Sequence, residues 1–143
     1  YYRFRLELVR EQVADQLPTG KLSLPRLADL GHRILKGADR EVVGAMYLDG
    51  QQRLMGYTLA YIGTLNETAV EPRGILVPGL LVNAAKVVLF HNHPGGNLTP
   101  SSSDLVFTRR IAEAGDLVGL KLLDHIILGT DPEFTSLYER GVI

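Results

Sequence analysis

The chain has 143 residues, 45% of them apolar and 22% charged, with a formal net charge of −1. That length suits one domain with its own core, and the near-neutral charge gives no overall attraction to nucleic acid or to an acidic membrane. The absence of cysteine excludes disulfides, thiol nucleophiles, thiolate zinc clusters and the Pro-Cys-x-x-Cys signature of zinc deaminases.

The first stretch alternates Tyr2, Phe4, Leu6 and Leu8 with Arg3, Arg5 and Glu7, which predicts a half-buried strand. It carries too much charge for a secretory signal and opens without methionine, as a piece of a longer protein would. Residues 1–40 hold eight Lys/Arg and five Asp/Glu, whereas residues 41–143 hold seven and eleven. A solvated basic face explains that asymmetry as well as a binding patch does. After the turn-rich "PTGKLSLP", a helix is predicted over 23–37. Ser23 is its cap, Pro25 lies in its first turn, Gly37 is its stop, and Leu24, Leu27, Leu30 and Ile34 share its apolar face. His32 sits mid-helix and reads as a surface residue.

"EVVGAMYLD" and "RLMGYTLAYIG" flank "DGQQ", a hairpin signal with Asp49-Gly50 at the bend. "ETAVEP" reads as a short extended piece. "PRGILVPGLLVNA" reads as a helix that contains Pro78. "KVVLFHNH" reads as a buried strand that ends in histidines, and "NLTP" as a turn. "SSSDLVFTRRIAEAGDLVG" reads as a helix with Phe107, Ile111, Ala114 and Val118 on one face. "LKLLDHIILG" is a further strand, and "EFTSLYER" adds a short one. The order β-α-β-β-α-β-α-β predicts a single α/β (α+β) domain, a mixed sheet with helices packed on it. Within it, residues 1–38 form an N-terminal strand and helix, and residues 39–130 a core. The longest apolar stretch, "GILVPGLLVNAA", is far below the ~20 residues of a membrane span, so a cytoplasmic chain with no membrane partner is expected. An open sheet edge would offer a second copy a place to pair.

Chemistry concentrates at "HNHPGGNLTPSSSD", residues 91–104. Side chains two apart on a strand point the same way, so His91 and His93 aim at one point. Pro94, Gly95 and Gly96 then turn the chain, and Asp104 falls in the first turn of the next helix. Two imidazole nitrogens and one carboxylate oxygen suit zinc, and three protein ligands leave a position for water. Bound zinc brings the pKa of that water to about 7. Ser101-x-x-Asp104 is also a capping box, a purely structural device, but a cap leaves His91 and His93 unexplained.

The stretch resembles the JAMM metalloprotease signature of the JAB1/MPN domain family: His-x-His, seven residues, Ser, two residues, Asp. Here it reads His91-x-His93, residues 94–100, Ser101, two residues, Asp104. "HNHPGG", "LLDHIILG" and "GTLNETAVEPRGI" are similar to the bacterial RadC branch in particular, over roughly residues 40–130. Two departures stand out: a glycine of the pair Gly95-Gly96 replaces a serine usual in the branch, and no helix-hairpin-helix domain precedes the match. The resemblance implies the MPN/JAB (cytidine-deaminase-like) fold and a zinc ion held by His91, His93 and Asp104. It also implies a catalytic glutamate on an early strand. Glu41, Glu67 and Glu71 are the glutamates within reach. Glu41 opens the strand that corresponds to the family's and takes the role; Glu71 beside Pro72-Arg73 reads as structural.

In the implied mechanism Glu41 takes a proton from zinc-bound water, which attacks a carbonyl carbon. Zinc and the Ser101 hydroxyl stabilise the oxyanion, and Glu41 returns the proton to the departing amine. The implied substrate is a peptide or protein amide or isopeptide, in relatives often next to a ubiquitin-like tail. Other residues carry less. Asp124-His125 lies on a strand near the site and reads as a partner that orients a ligand or as a satisfied interior pair. Asn92 points away from the metal and ties down the loop. Arg73 reads as a salt-bridge partner, and Arg109-Arg110 as solvated. Three alternatives compete. A DNA-associated, RadC-type role in repair or mobile elements lacks a supporting charge or motif. A non-catalytic interaction module conflicts with the presence of all four key residues. A two-histidine, one-carboxylate iron oxygenase has a different ligand order.

Overall fold

The computed structural model describes residues 2, 3, 5, 11, 17–62 and 71–143. The strand expected over 2–8, most of the extended piece over 67–72, and Glu67 lie outside the described residues. The described elements are α1 (Leu24–Ile34), β1 (Val42–Leu48), β2 (Leu54–Ile62), α2 (Pro72–Leu81), β3 (Lys86–Asn92), α3 (Ser102–Val118), β4 (Lys121–Leu128) and β5 (Phe134–Ser136). Each helix and strand expected among these residues is present, to within a few residues at the ends. The strands form one mixed sheet in the order β2-β1-β3-β4-β5. Of the neighbouring strands only β3 and β4 are parallel, joined by a crossover through the 17-residue α3. The α+β architecture is that expected of the MPN/JAB fold.

Alternation along the strands divides the core in two. Val42, Met46, Leu48, Val88, Phe90, Ile126 and Leu128 face α1, which contributes Leu27, Ala28 and Leu30. Val43, Ala45, Tyr47, Val87, Leu89 and Leu122 face the other way, against Ile75 and Leu76 of α2 and Phe107 and Ile111 of α3. Each large side chain removed from water in this way contributes about 1.5–3 kcal/mol. Gly44 lies opposite Phe90 across β1 and β3, and a Cβ there would come within 2.3 Å of the ring. The aromatic ring takes the space that a side chain would need.

Local chemistry explains the ends. Asp49 closes the β1–β2 hairpin: its Oδ1 accepts from the Gln51 and Arg53 amides at 2.8 and 3.0 Å. Pro78 sits within α2 because the carbonyl it leaves without a donor belongs to exposed Gly74, open to water. The face of α3 departs from expectation at its end. Val118 is 47% exposed, and the buried face runs instead through Asp104, Phe107, Thr108, Ile111 and Gly115. Gly115 is needed there because a Cβ would meet the Leu120 carbonyl oxygen at 2.3 Å. No helix among the described residues is long and apolar enough to cross a membrane.

Candidate metal centre

The site forms where β1 begins and β3 ends. The antiparallel register pairs Val43 with His91; continued by two residues, it sets Glu41 across from His93. Odd-numbered residues of both strands face α2 and α3, so Glu41, His91 and His93 project to the same side as Val43 and Leu89. The loop over 93–101 returns the chain to this point. It turns at Gly96, whose φ of +78° favours glycine. Asp104 then arrives in the first turn of α3, held by a capping box. Its N–H donates to Ser101 Oγ at 3.1 Å, and its Oδ2 accepts the Ser101 N–H at 2.7 Å.

The structure thus brings Glu41, His91, His93 and Asp104 together, with one ligand atom from each lying within 4.8 Å of the others. His91 Nε2 and His93 Nε2 are 2.9 Å apart. Asp104 Oδ1 is 3.4 Å from the first and Asp104 Oδ2 3.5 Å from the second. Glu41 Oε1 lies slightly farther off, 3.8 and 3.9 Å from the two nitrogens. His91 and Asp104 are fully buried, whereas the Glu41 side chain is 20% exposed. Ser101 is exposed, and because its Oγ accepts from Asp104, its own proton is free to donate.

Hydrogen bonds around the rings assign their protons. His93 Nδ1 lies 2.6 Å from the Asn97 carbonyl, which can only accept, so Nδ1 carries a hydrogen and, in the neutral ring, Nε2 is bare. For His91 the assignment passes through two more residues. Thr108 donates its hydroxyl proton to the Asp104 carbonyl at 2.6 Å. It must therefore accept from His125 Nδ1, also 2.6 Å away. His125 is fully buried, and burial, with the neighbouring His91 adding to it, holds its pKa well below the ordinary value; it is neutral. Its Nε2 consequently accepts from His91 Nδ1 at 2.7 Å, which leaves His91 Nε2 bare.

With both rings in their neutral form, two nitrogen lone pairs converge beside a buried carboxylate, 2.9 Å apart. Asp104 Oδ1 has no hydrogen-bond partner among the described residues. Burial alone would raise the Asp104 pKa, but His91 in its protonated form and the Ser101 amide outweigh it and hold the carboxyl well below the usual range, ionised. Converging lone pairs and an unpartnered buried anion fit a cation, and the donor set of two imidazoles and one carboxylate suits a divalent transition ion. The cluster matches a JAMM-like metal site.

Other expected residues fall as follows. His125 does face the site and Asp124 does not, although the two are adjacent. A one-residue shift in the β3–β4 register after Val87 pairs Leu89 with His125, which turns that ring toward His91. Asp124 instead binds Ser136 and the amides of His125 and Tyr138. Asn92 points away from the cluster as expected, but it binds the chain around Glu41 rather than the loop that follows. His32 is more than a surface residue, since its Nε2 lies 3.0 Å from the Glu133 carbonyl and ties α1 to the β4–β5 turn. Glu71 pairs with Arg110 at 3.9 Å, so Arg110 is not merely solvated. Arg73 is exposed and makes no ion pair with a described residue. Thr108 escaped the sequence reading; its only signal is its place one helical turn after Asp104.

Comparisons with known proteins agree with this geometry. A family model described as "RadC-like JAB domain" matches residues 23–142. A "UPF0758 protein" of Pelobacter propionicus is 42% identical over 115 residues, covering 80% of this chain and 50% of its own length. Similar proteins of the same name come from Actinobacillus pleuropneumoniae and Cellvibrio japonicus. The first is 37% identical over 136 residues, 94% of this chain and 62% of its own. The second is 40% identical over 138 residues, 95% of this chain and 61% of its own. The chain spans about half to three-fifths of the length of these relatives.

Proposed function

Given that this chain belongs to the RadC-like JAB domain family, we propose that it is a zinc-dependent hydrolase of peptide or isopeptide bonds in a peptide or protein substrate. The observation that carries the reading is the convergence of two bare imidazole nitrogens and the unpartnered Asp104 Oδ1, with a solvent-accessible carboxylate alongside. His91, His93 and Asp104 would hold the ion, which when bound supplies a Lewis acid and makes water acidic enough to ionise near neutral pH.

The two carboxylates divide the labour by environment. Asp104 is buried and fixed at both ends of its capping box, which suits a ligand. Glu41 lies slightly farther out and reaches solvent, which suits a group that takes up and releases protons. Glu41 accepts a proton as water adds to the carbonyl carbon and delivers it to the amine as the C–N bond breaks. The Ser101 hydroxyl donates a hydrogen bond to the oxygen that becomes negative in between.

A cleavage screen on peptide and isopeptide substrates, run with zinc and with a chelator, tests this. Glu41→Gln is expected to lower turnover by about 10²–10⁴-fold while zinc binding persists, as removal of a general base would. Equal turnover in Glu41→Gln and the unaltered chain would refute the assignment of the base. Turnover indifferent to the chelator would refute the metal.

A further inference from the structure

The Glu41 carboxylate accepts no hydrogen bond among the described residues; it faces the two imidazoles at 3.8 and 3.9 Å. Glu41 also stands outside β1, past the last main-chain pair of the β1–β3 ladder, Val43 with His91. A side chain aimed to within an ångström therefore needs another anchor. The Asn92 side chain provides it. Its Oδ1 accepts the Val42 N–H at 2.7 Å, and its Nδ2 donates to the Arg40 carbonyl at 2.9 Å. Those two groups belong to the two peptide planes that meet at the Glu41 α-carbon. Fixing both planes fixes the backbone angles of Glu41, and with them the direction of its Cα–Cβ bond. An amide suits this task because it offers a donor and an acceptor on one rigid plane, whereas a carboxylate lacks the donor.

We infer that Asn92 is a positioning residue for Glu41: the middle residue of His-x-His clamps the general base from the face of the sheet opposite the metal ligands. The inference rests on the reading of Glu41 as the base. Asn92 is buried and, two residues on from Phe90 along β3, projects to the sheet face that packs on α1, away from the ion and substrate. One residue triplet then serves both halves of the site, with its outer members holding the ion and its centre holding the group that works beside it.

The test uses the full chain with cobalt(II) as the probe. In protein labelled with ¹³C-carboxyl glutamate, assigned by Glu41→Gln, the paramagnetic shift of the Glu41 carboxyl carbon reads its distance from the ion. Asn92→Asp and Asn92→Ala are expected to keep cobalt affinity within about threefold, less than the tenfold or more that follows disturbance of a ligand's partner. Both are expected to lose the Glu41 shift. Ser136→Ala, which removes a buried hydrogen bond to Asp124 and touches neither Glu41 nor Asn92, controls for simple destabilisation and should keep the shift. If Asn92→Ala fails to fold, Asn92→Asp decides alone, since it retains the bond from Val42. A Glu41 shift that survives in the Asn92 variants, or a cobalt affinity that collapses with it, overturns the clamp and leaves the reading of Glu41 standing. Failure of the unaltered chain to bind cobalt overturns both. With a substrate in hand, Asn92→Asp should lower kcat by about 10–100-fold at unchanged KM, the cost of misplacing a catalytic group by an ångström. In a Glu41→Gln background it should cost nothing more.

Discussion

Asp104 and Asp124 are both buried aspartates, 0% and 6% exposed, and they stand on successive elements of the same chain. Their surroundings differ in kind. Asp124 is fully served: Oδ1 accepts from the His125 and Tyr138 amides at 2.7 and 3.0 Å, and Oδ2 from the Ser136 hydroxyl. It closes the β4–β5 hairpin and the turn that follows. Asp104 has one oxygen committed to the Ser101 amide and the other without a partner, facing His91 Nε2. Burial by itself therefore says little about function. What separates a structural carboxylate from a ligand is whether its lone pairs are already spent.

The contrast can be broken most sharply by removing each charge in turn. Asp104→Asn should weaken zinc binding by well over the roughly 100-fold that losing an outer hydrogen-bonding partner costs. In the metal-free chain it should also remove the stability that the ionised carboxylate contributes above pH 3.8. Asp124→Ala should instead leave the ion's site intact and cost stability at neutral pH. Three donors lose their acceptor, which costs about 2–4 kcal/mol in urea denaturation, while the zinc affinity of the folded fraction holds. An Asp124 variant with full stability and no zinc binding would invert the assignment. Smaller in effect, Thr108→Val removes the acceptor that fixes the His125 proton, and zinc affinity should fall by about tenfold. The ¹⁵N shifts of the His91 and His125 rings should show the change of tautomer directly.

The smallest predicted effect is on pH dependence. Burial raises the Asp124 pKa above its ordinary 3.8, so in the window between 3.8 and the raised value the folded chain holds a proton that the unfolded chain releases. Stability from this group is therefore present below 3.8 and erodes as pH climbs through that window, by at most about 1.4 kcal/mol per pH unit. Asp104 is shifted the other way: its contribution is present above 3.8 and is lost as pH falls toward its depressed value. In metal-free protein, Asp124→Asn should remove the first slope and Asp104→Asn the second. Variants with unchanged slopes would remove the electrostatic side of the comparison.

The sequence made one of these two carboxylates legible and not the other. Asp104 was marked by its spacing from Ser101 and from a His-x-His pair at a strand end, features that period-two alternation and helix capping turn into geometry without knowledge of the rest of the fold. Asp124 and His125 were indistinguishable as neighbours on a strand, because the register shift after Val87 that sends one to the hairpin and the other to the metal cluster leaves no local mark. Glu41 could be named only through the family resemblance: a glutamate at a strand start is ordinary, and its approach to His93 depends on how β1 and β3 pair. The face of α3 was misread at Val118 because a left-handed Gly119 ends the helix there and leaves the last turn in water. Asn92 was correctly placed on the far face, but its partners lie some fifty residues away in sequence, at Arg40 and Val42.

The capping box at Ser101 has a consequence for how fast an ion enters. Because one carboxylate oxygen of Asp104 secures the start of α3, formation of that helix delivers the other oxygen to its post before any ion arrives. His91 and His93 are likewise locked through ring hydrogens bound elsewhere. Loading then requires no search by the chain. Its rate should be governed by how quickly the incoming ion sheds its hydration water, and metals should exchange in the order of their water lability.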